Sequence, residues 1–255
     1  MQHMESTTFL LVDEQPISLP QALRYLQTSG NLQPFILKIL RQSILEQEIQ
    51  KRDDLEISPA TSEQAVIDFR VEQQLTDPKI FQEWLISNGL DYSTFSAQVA
   101  FGFKLEKLKT QVTEPKLQKY FIERKIFLDR VVLSRIIVTN KELVEELKSQ
   151  ILEGARFEQL AQEYSFTDDR IVNGMMGPVS LGQLPDFLRA MVELSNPGEL
   201  IGPLEIEGWY CLFRLEKILT ASLEGQLLLE LQNQLFEQWL EEKMRHLTIK
   251  LQVNS

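Results

Sequence analysis

The chain has 255 residues, of which 43% are hydrophobic and 9% aromatic, so it can bury a substantial core in one large or two modest domains. Its formal net charge is −11 and its pI is about 4.8. A surface of this charge repels phosphate backbones and anionic lipid headgroups, so we expect neither nucleic acid nor a membrane as a partner.

The beginning of the chain lacks the features of a secretory signal, because Phe9 to Val12 supply only four consecutive apolar residues and no basic segment precedes them. No later stretch approaches the ~20 apolar residues that a membrane-spanning helix needs. We therefore expect a cytoplasmic protein. The single cysteine, Cys211, excludes an internal disulfide and is predicted to be a buried structural thiol within the apolar run from Trp209 to Leu215.

The first half of the chain is helical by pattern, since apolar residues recur at helical spacing from Ile17 to about Lys125. Ser18 has the position of a capping residue and predicts the first helix start. A long amphipathic helix follows around Phe35 to Leu45. Asp91 predicts the cap of a later helix.

Two further boundaries are predicted in this half. Thr61 with Gln64 has the spacing of a capping box, which predicts that a helix starts there. Pro115 interrupts the pattern, so we expect one helix to end before it and a last one to run from Lys116 to Lys125.

The periodicity changes between Asp129 and Asn140, where the β-branched run VVLSRIIV predicts a strand. Thr139 with Glu142 predicts the capping box of a helix from Lys141 to Leu152. Two more extended runs follow, at Gly202 to Ile206 and at Trp209 to Ile218. Together they fit a small α/β unit of about 90 residues.

The chain returns to helix from Ser222 to Leu247, with an apolar surface so wide that another element must cover it. The helices of the first half are the nearest candidates. The expected fold class is therefore α+β: an all-α N-terminal lobe at residues 1–128, an inserted α/β domain at 129–219, and a C-terminal helix at 220–255 that packs on the helical lobe.

One stretch inside the predicted α/β domain carries the functional signal. From Phe157 to Phe187, two amphipathic helical turns lead into a loop that passes through Asn173-Gly174 and Gly177-Pro178. Taken alone, this pattern is typical of a glycine-containing turn. Three motifs lie in or beside this stretch, in the order Gly154 to Phe157 (GARF), Leu160 to Ser165 (LAQEYS) and Pro197 to Leu200 (PGEL).

These motifs make residues 131–218 resemble the parvulin family of peptidyl-prolyl cis–trans isomerases. The surrounding helices are similar to the lobe that SurA- and PrsA-type chaperones build around an inserted parvulin domain. The resemblance implies an isomerase and folding factor that binds proline-containing or unfolded polypeptide segments and needs no cofactor or metal.

The chain departs from the family pattern at both of its strand histidines. Arg135 stands at the first of these positions and Tyr210 at the second. The two histidines of the chain, His3 and His246, lie outside the domain. The loss of both histidines does not exclude catalysis, because rotation about an X-Pro bond makes and breaks no bond and requires no proton transfer.

The resemblance also implies the site residues. Thr167, Tyr210 and Arg135 are the expected catalytic group: Thr167 would donate a hydrogen bond to the substrate carbonyl, and Tyr210 would replace a histidine in the polar network beneath. Arg135 is costly to bury unpaired, so we expect Asp168 or Asp169 as its partner.

The proline ring is expected to bind in an apolar socket. The residues that the resemblance assigns to it are Leu184, Phe187, Leu181 and Met176. Phe187 is one residue closer to Leu184 than the family pattern has it.

Two other interpretations stay open. In one, Leu184 and Phe187 are simply core residues and Arg135 is a surface residue of a strand. In the other, the chain is a non-catalytic chaperone or adaptor that binds extended apolar peptides. Other chemistry has little support, because the sequence contains neither paired His or Cys at metal-ligand spacing nor a phosphate-binding glycine motif.

Overall fold

The structure is a computed structural model that describes residues 8–250, so His3 and the rest of the first seven residues lie outside it. Its strands are β1 (Thr8–Val12), β2 (Gln15–Ser18), β3 (Arg130–Val138), β4 (Val179–Ser180), β5 (Leu200–Ile206) and β6 (Trp209–Leu219). Its α-helices are α1 (Leu19–Thr28), α2 (Leu32–Gln50), α3 (Pro59–Glu72), α4 (Pro78–Ser87), α5 (Tyr92–Leu128), α6 (Lys141–Leu152), α7 (Phe157–Tyr164), α8 (Asp186–Leu194) and α9 (Gly225–Arg245).

The chain forms two compact units. One comprises the residues up to Leu117 and those from Leu229 onwards, and the other runs from Gln118 to Leu228. In the first unit, Phe236 and Leu240 of α9 are buried in the same cluster as Ile44, Leu45 and Leu108. The C-terminal helix thus shares a core with the N-terminal helices, and the predicted α+β fold class is confirmed.

The domain boundaries that we predicted at 128/129 and 219/220 stay predictions. They follow the ends of strands and helices, whereas the two compact units change over at 117/118 and 228/229. The first of these changes falls within the single long helix α5.

The N-terminal lobe contains an antiparallel hairpin in addition to helices. β1 pairs with β2, and the turn between them places Asp13 and Glu14 at positive φ. An all-α lobe was expected because the apolar run from Phe9 to Val12 does not alternate as a half-buried strand would, and because the turn carries no Asn-Gly or Asp-Gly signal.

Two helix boundaries differ from the predictions. α3 begins at Pro59, because the hydroxyl of Ser58 accepts a hydrogen bond from the amide of Thr61 at 3.1 Å and so caps the helix three residues earlier than expected. α5 continues through Pro115 without ending. Leu117 and Phe121 are buried beyond that proline, so tertiary packing stabilises a helix that the proline alone disfavours.

The second unit is organised around a four-stranded antiparallel sheet of order β4-β3-β6-β5. One face is covered by α6 and α7, with Ile136 and Leu212 of the sheet buried in that cluster. The opposite face packs against α8, whose Leu188 and Val192 are buried. α6 starts where we expected, although its cap is Asn140 and not Thr139, since the Asn140 side chain accepts from the Leu143 amide at 2.9 Å.

Among residues 8–250, no helix combines the length and the apolar character that crossing a bilayer requires. The cytoplasmic location stays a prediction.

Candidate functional site

A groove of about 510 Å³ lies on the α8 face of the sheet. Its wall is mostly apolar and includes four polar side chains. The apolar members are Ile137, Phe166, Met176, Val179, Leu184, Pro185, Leu188, Ile206, Trp209, Cys211 and Phe213, and the polar ones are Arg135, Thr167, Gln183 and Glu207.

One buried apolar part of the groove combines strand, loop and helix residues. Leu184 and Leu188 are 7% and 3% exposed and belong to the same buried cluster as Phe213, with Met176 packed against it. We call Met176, Leu184, Leu188 and Phe213 the socket. It is apolar and lies within the concave groove, as ligand-binding subsites commonly do.

Phe187 lies outside the groove lining and is 47% exposed, so the prediction that it lines the apolar socket is wrong. It precedes Leu188 in α8, and adjacent residues of a helix point about 100° apart. Leu188 follows Leu184 by four residues and occupies the inward position instead. Leu181 is buried in the same cluster but does not line the groove.

Arg135 lies beside the socket, and its Nε donates to Oδ2 of Asp169 at 2.6 Å. This pair confirms the expectation that one of the loop aspartates neutralises the guanidinium. The Arg135 side chain is 31% exposed to solvent. Within the described part of the chain, neither of its two Nη groups donates to a protein acceptor.

A chain of hydroxyl groups fixes the carboxylate of Asp169. Thr167 Oγ1 donates to Oδ1 of Asp169 at 2.5 Å, and lies 3.1 Å from the hydroxyl of Ser165. Ser165 Oγ accepts from the amide of Ile137 at 3.1 Å. Because the single proton of Thr167 is committed to Asp169, Ser165 must donate to Thr167. We expected Thr167 to donate to a substrate carbonyl, but its hydroxyl has no proton left for that bond. Arg135, in contrast, does have free donors.

Backbone contacts hold this loop against β3. The amide of Arg135 donates to the carbonyl of Gly174 at 2.8 Å, and the amide of Met176 donates to Leu133 at 2.7 Å. Gly174 has φ +73°, and a Cβ there would collide with the Arg135 carbonyl. Only glycine fits this close approach, which connects the glycine-containing turn of the sequence directly to the position of Arg135.

Tyr210 does not lie in the groove, so its predicted place beneath the site is wrong. It faces the opposite side of the sheet, where it packs against the cluster under α6 and α7. Successive residues of a strand alternate between faces, and here Trp209, Cys211 and Phe213 are the ones that line the groove.

Cys211 therefore occupies the groove-facing position next to the one predicted. It is 2% exposed, and burial raises the pKa of its thiol, while the positive charge of Arg135 acts in the opposite direction. The thiol is neutral near pH 7, as we predicted for a structural cysteine, and it contributes an apolar surface to the groove.

The structure thus brings together four of the seven predicted site residues, namely Arg135, Thr167, Met176 and Leu184. Sequence reasoning missed Leu188, Phe166, Trp209 and Phe213. The four-residue spacing from Leu184 was a signal for Leu188, because it restores the family spacing that Phe187 breaks. No local signal distinguished the exposed Phe166 from an ordinary loop residue.

Parts of the chain are similar in sequence to known proteins. The sequence profile described as "Rotamase: PPIC-type PPIASE domain" matches residues 135–217. The chain is 26% identical over 147 residues to foldase protein PrsA 2 of Listeria monocytogenes serotype 4b (strain F2365), which covers 56% of this chain and 49% of that protein. The chain thus spans about half the length of the curated relatives it matches.

The chain is also similar to two solved structures. A crystal structure of a PpiC-type peptidyl-prolyl cis-trans isomerase domain is 24% identical, with 39% of this chain and 99% of that chain covered and a TM-score of 0.36. The peptidylprolyl isomerase PrsA of Bacillus cereus is 16% identical, with 97% and 95% covered and a TM-score of 0.44. By its profile match, the segment of residues 135–217, which supplies the groove, is a domain of the PPIC-type, parvulin-like rotamase family.

Proposed function

We propose that this chain is a parvulin-type peptidyl-prolyl cis–trans isomerase that acts as a protein-folding factor. The observation that carries the proposal is the juxtaposition of an apolar socket with a guanidinium that retains unused donors. The family of the domain and its similarity to proteins named as foldases support the same activity.

The apolar socket accelerates rotation about the X-Pro bond. An amide is planar because resonance moves charge from nitrogen to oxygen, and rotation by 90° removes that resonance at a cost of ~18–20 kcal/mol. The planar form is therefore more polar than the twisted one. An apolar wall destabilises the planar amide more than the twisted amide, which lowers the barrier without any proton transfer.

Arg135 anchors the bound peptide. Its Nε is held by Asp169, which leaves the Nη groups to donate to a carbonyl oxygen of the bound peptide beside the socket. A fixed carbonyl on one side of the X-Pro bond allows the other side to turn against it. Charge-assisted hydrogen bonds are about twice as strong as neutral ones, so one such contact is sufficient to orient the peptide.

A pair of neighbouring methionines provides the test. Met176 lines the socket, whereas Met175 is half exposed and lies outside the groove. Glutamine has nearly the length of methionine but adds a polar amide, so Met176→Gln makes the socket polar at little steric cost, and Met175→Gln is the matched control.

The measurement is exchange NMR of a short Xaa-Pro peptide at micromolar protein. We expect the wild type and Met175→Gln to accelerate cis–trans exchange, and Met176→Gln to lose at least most of the acceleration. Exchange at the uncatalysed rate with the wild type contradicts the proposal. Peptide binding without acceleration would leave the non-catalytic chaperone or adaptor.

A further inference from the structure

Two aromatic rings at one end of the groove have no role in the function proposed above. Phe166 and Trp209 stack with their ring centroids 4.8 Å apart and their planes at 22°. Both rings line the groove, yet Phe166 is 67% exposed. A phenyl ring that is this exposed presents apolar area that a ligand can cover.

The backbone holds both rings in place. The amide of Phe166 donates to the carbonyl of Ile137 at 2.8 Å, directly after the buried Ser165. Trp209 begins β6 after a tight turn in which Glu207 and Gly208 both have positive φ, and it pairs with Ile206 across that turn. These contacts fix the backbone that carries the stacked pair, which reduces the entropic cost of binding to it.

Strand β6 sets the distance between the stacked pair and the socket. Trp209, Cys211 and Phe213 follow one another on the groove face of β6, so Trp209 and Phe213 are separated by four residues, or about 13 Å. A peptide in extended conformation advances about 3.3 Å per residue. A proline in the socket therefore brings a side chain two to four residues away to the stacked pair.

We propose that Phe166 and Trp209 form a second subsite of the groove, which selects an aromatic side chain two to four residues from the proline of a bound peptide. The inference rests on the proposed function, because it places proline in the socket. The occupant is a peptide whose chain continues from the socket along the same groove. Its aromatic ring packs against the exposed edge or face of Phe166 in the offset or edge-on arrangements that aromatic pairs favour.

The test uses peptides that share an Ala-Pro core and differ only in carrying Trp or Ala at a single position two, three or four residues from the proline, on either side. The dissociation constant of each is measured by calorimetry and its catalysed exchange rate by NMR. We expect Trp at one or more of these positions to tighten binding by about three- to ten-fold over Ala, as one additional aromatic contact does.

Phe166→Ala should remove this preference, so that the Trp and Ala peptides bind the variant with equal affinity, because the variant lacks one ring of the stacked pair. Tyr164→Ala is the matched control, because Tyr164 is a partly exposed aromatic residue two positions earlier that does not line the groove. It should keep the full preference.

The outcomes separate the two proposals. Equal affinity of the wild type for all peptides, with catalysed exchange present, overturns the second subsite and leaves the isomerase. A preference for Trp that survives Phe166→Ala also overturns it, because the ring is then recognised elsewhere. Binding of the peptides without catalysed exchange contradicts the isomerase alone, and absence of binding by every peptide contradicts both.

Discussion

Two arginines on neighbouring strands of the same sheet lie on opposite faces and differ in the partners that hold them. Arg214 on β6 donates to Glu158 and Glu216, both at 2.8 Å, and its guanidinium lies 4.8 Å from the ring centre of Phe157. Arg135 on β3 is held by the single carboxylate of Asp169.

The number of occupied donors, and not the residue type, distinguishes the two. We call the face of the sheet that α6 and α7 cover the closed face. Arg214 is a structural cation that joins α7 to this closed face, whereas Arg135 keeps donors for a ligand in the groove. The predictions below separate the closed face from the groove face, beginning with the largest effect.

Leu212→Ala should lower the free energy of unfolding by about 2–5 kcal/mol, because Leu212 is fully buried on the closed face and its truncation leaves a cavity. Urea denaturation of the full chain measures the loss. Peptide affinity per folded molecule should not change. A weaker affinity in the folded fraction would mean that the closed face also shapes the groove.

Gly174→Ala should destabilise the chain by about 1–3 kcal/mol, since alanine at φ +73° is strained and its Cβ collides with the Arg135 carbonyl. It should also reduce isomerase activity, because the Arg135 amide loses its bond to the Gly174 carbonyl. Gly177→Ala is the control: its φ is not in the left-handed region, and open space surrounds its Cβ position. Equal effects of the two substitutions would contradict the role given to Gly174.

Arg135→Met should lower kcat/KM for an Xaa-Pro peptide by about ten-fold, which corresponds to one hydrogen bond to a charged group. Arg214→Met removes the same charge from the other face, and we expect it to lower stability while kcat/KM is unchanged. Steady-state kinetics and denaturation of both variants measure the contrast. If the two variants lose activity equally, the distinction between a structural and an available arginine fails.

Acid should weaken the closed face through Glu158. The hydrogen bond from Arg214 lowers the pKa of this carboxyl below its ordinary value. A lowered folded pKa means that the stabilisation is present above the unfolded pKa of about 4.3 and is lost as pH falls through the folded value. Glu158→Gln should therefore flatten the decline of stability below about pH 4. An identical pH profile of the variant would show that Glu158 contributes nothing to the decline.

Tyr210→Phe should have the smallest effect, with peptide exchange rates equal to those of the wild type within error. Its side chain packs on the closed face and does not line the groove. The same NMR exchange measurement checks it. A loss of activity comparable to that of Arg135→Met would restore the role that the family alignment first suggested for Tyr210.

Much of the fold could be predicted from the sequence, because its strong signals are local. The β-branched run around Leu133 to Val138 and the helix from Lys141 to Leu152 are where periodicity puts them. The hairpin at Thr8–Ser18 and the continuous helix through Pro115 could not be predicted in this way, since a turn without glycine and packing beyond a proline override local propensity.

The candidate site could be predicted only in part. Arg135, its aspartate partner and Leu184 follow from motif order and from the cost of an unpaired charge. The predictions for Tyr210 and Phe187 were wrong because a difference of one residue moves a side chain to the other face of a strand, or about 100° around a helix. The direction of the Thr167 hydroxyl depends on Ser165 and Asp169 together, which no spacing in the sequence reveals.

Refolding of a denatured protein whose slow phase is limited by X-Pro isomerisation tests the central claim most directly, since it combines the proposed catalysis with the proposed role in folding. Substoichiometric amounts of the full chain should increase the rate of the slow phase, which otherwise takes tens of seconds, in proportion to the concentration of the chain. Met175→Gln should act like the wild type, and Met176→Gln should not. A slow-phase rate that stays constant while only the refolded yield rises would contradict catalysis.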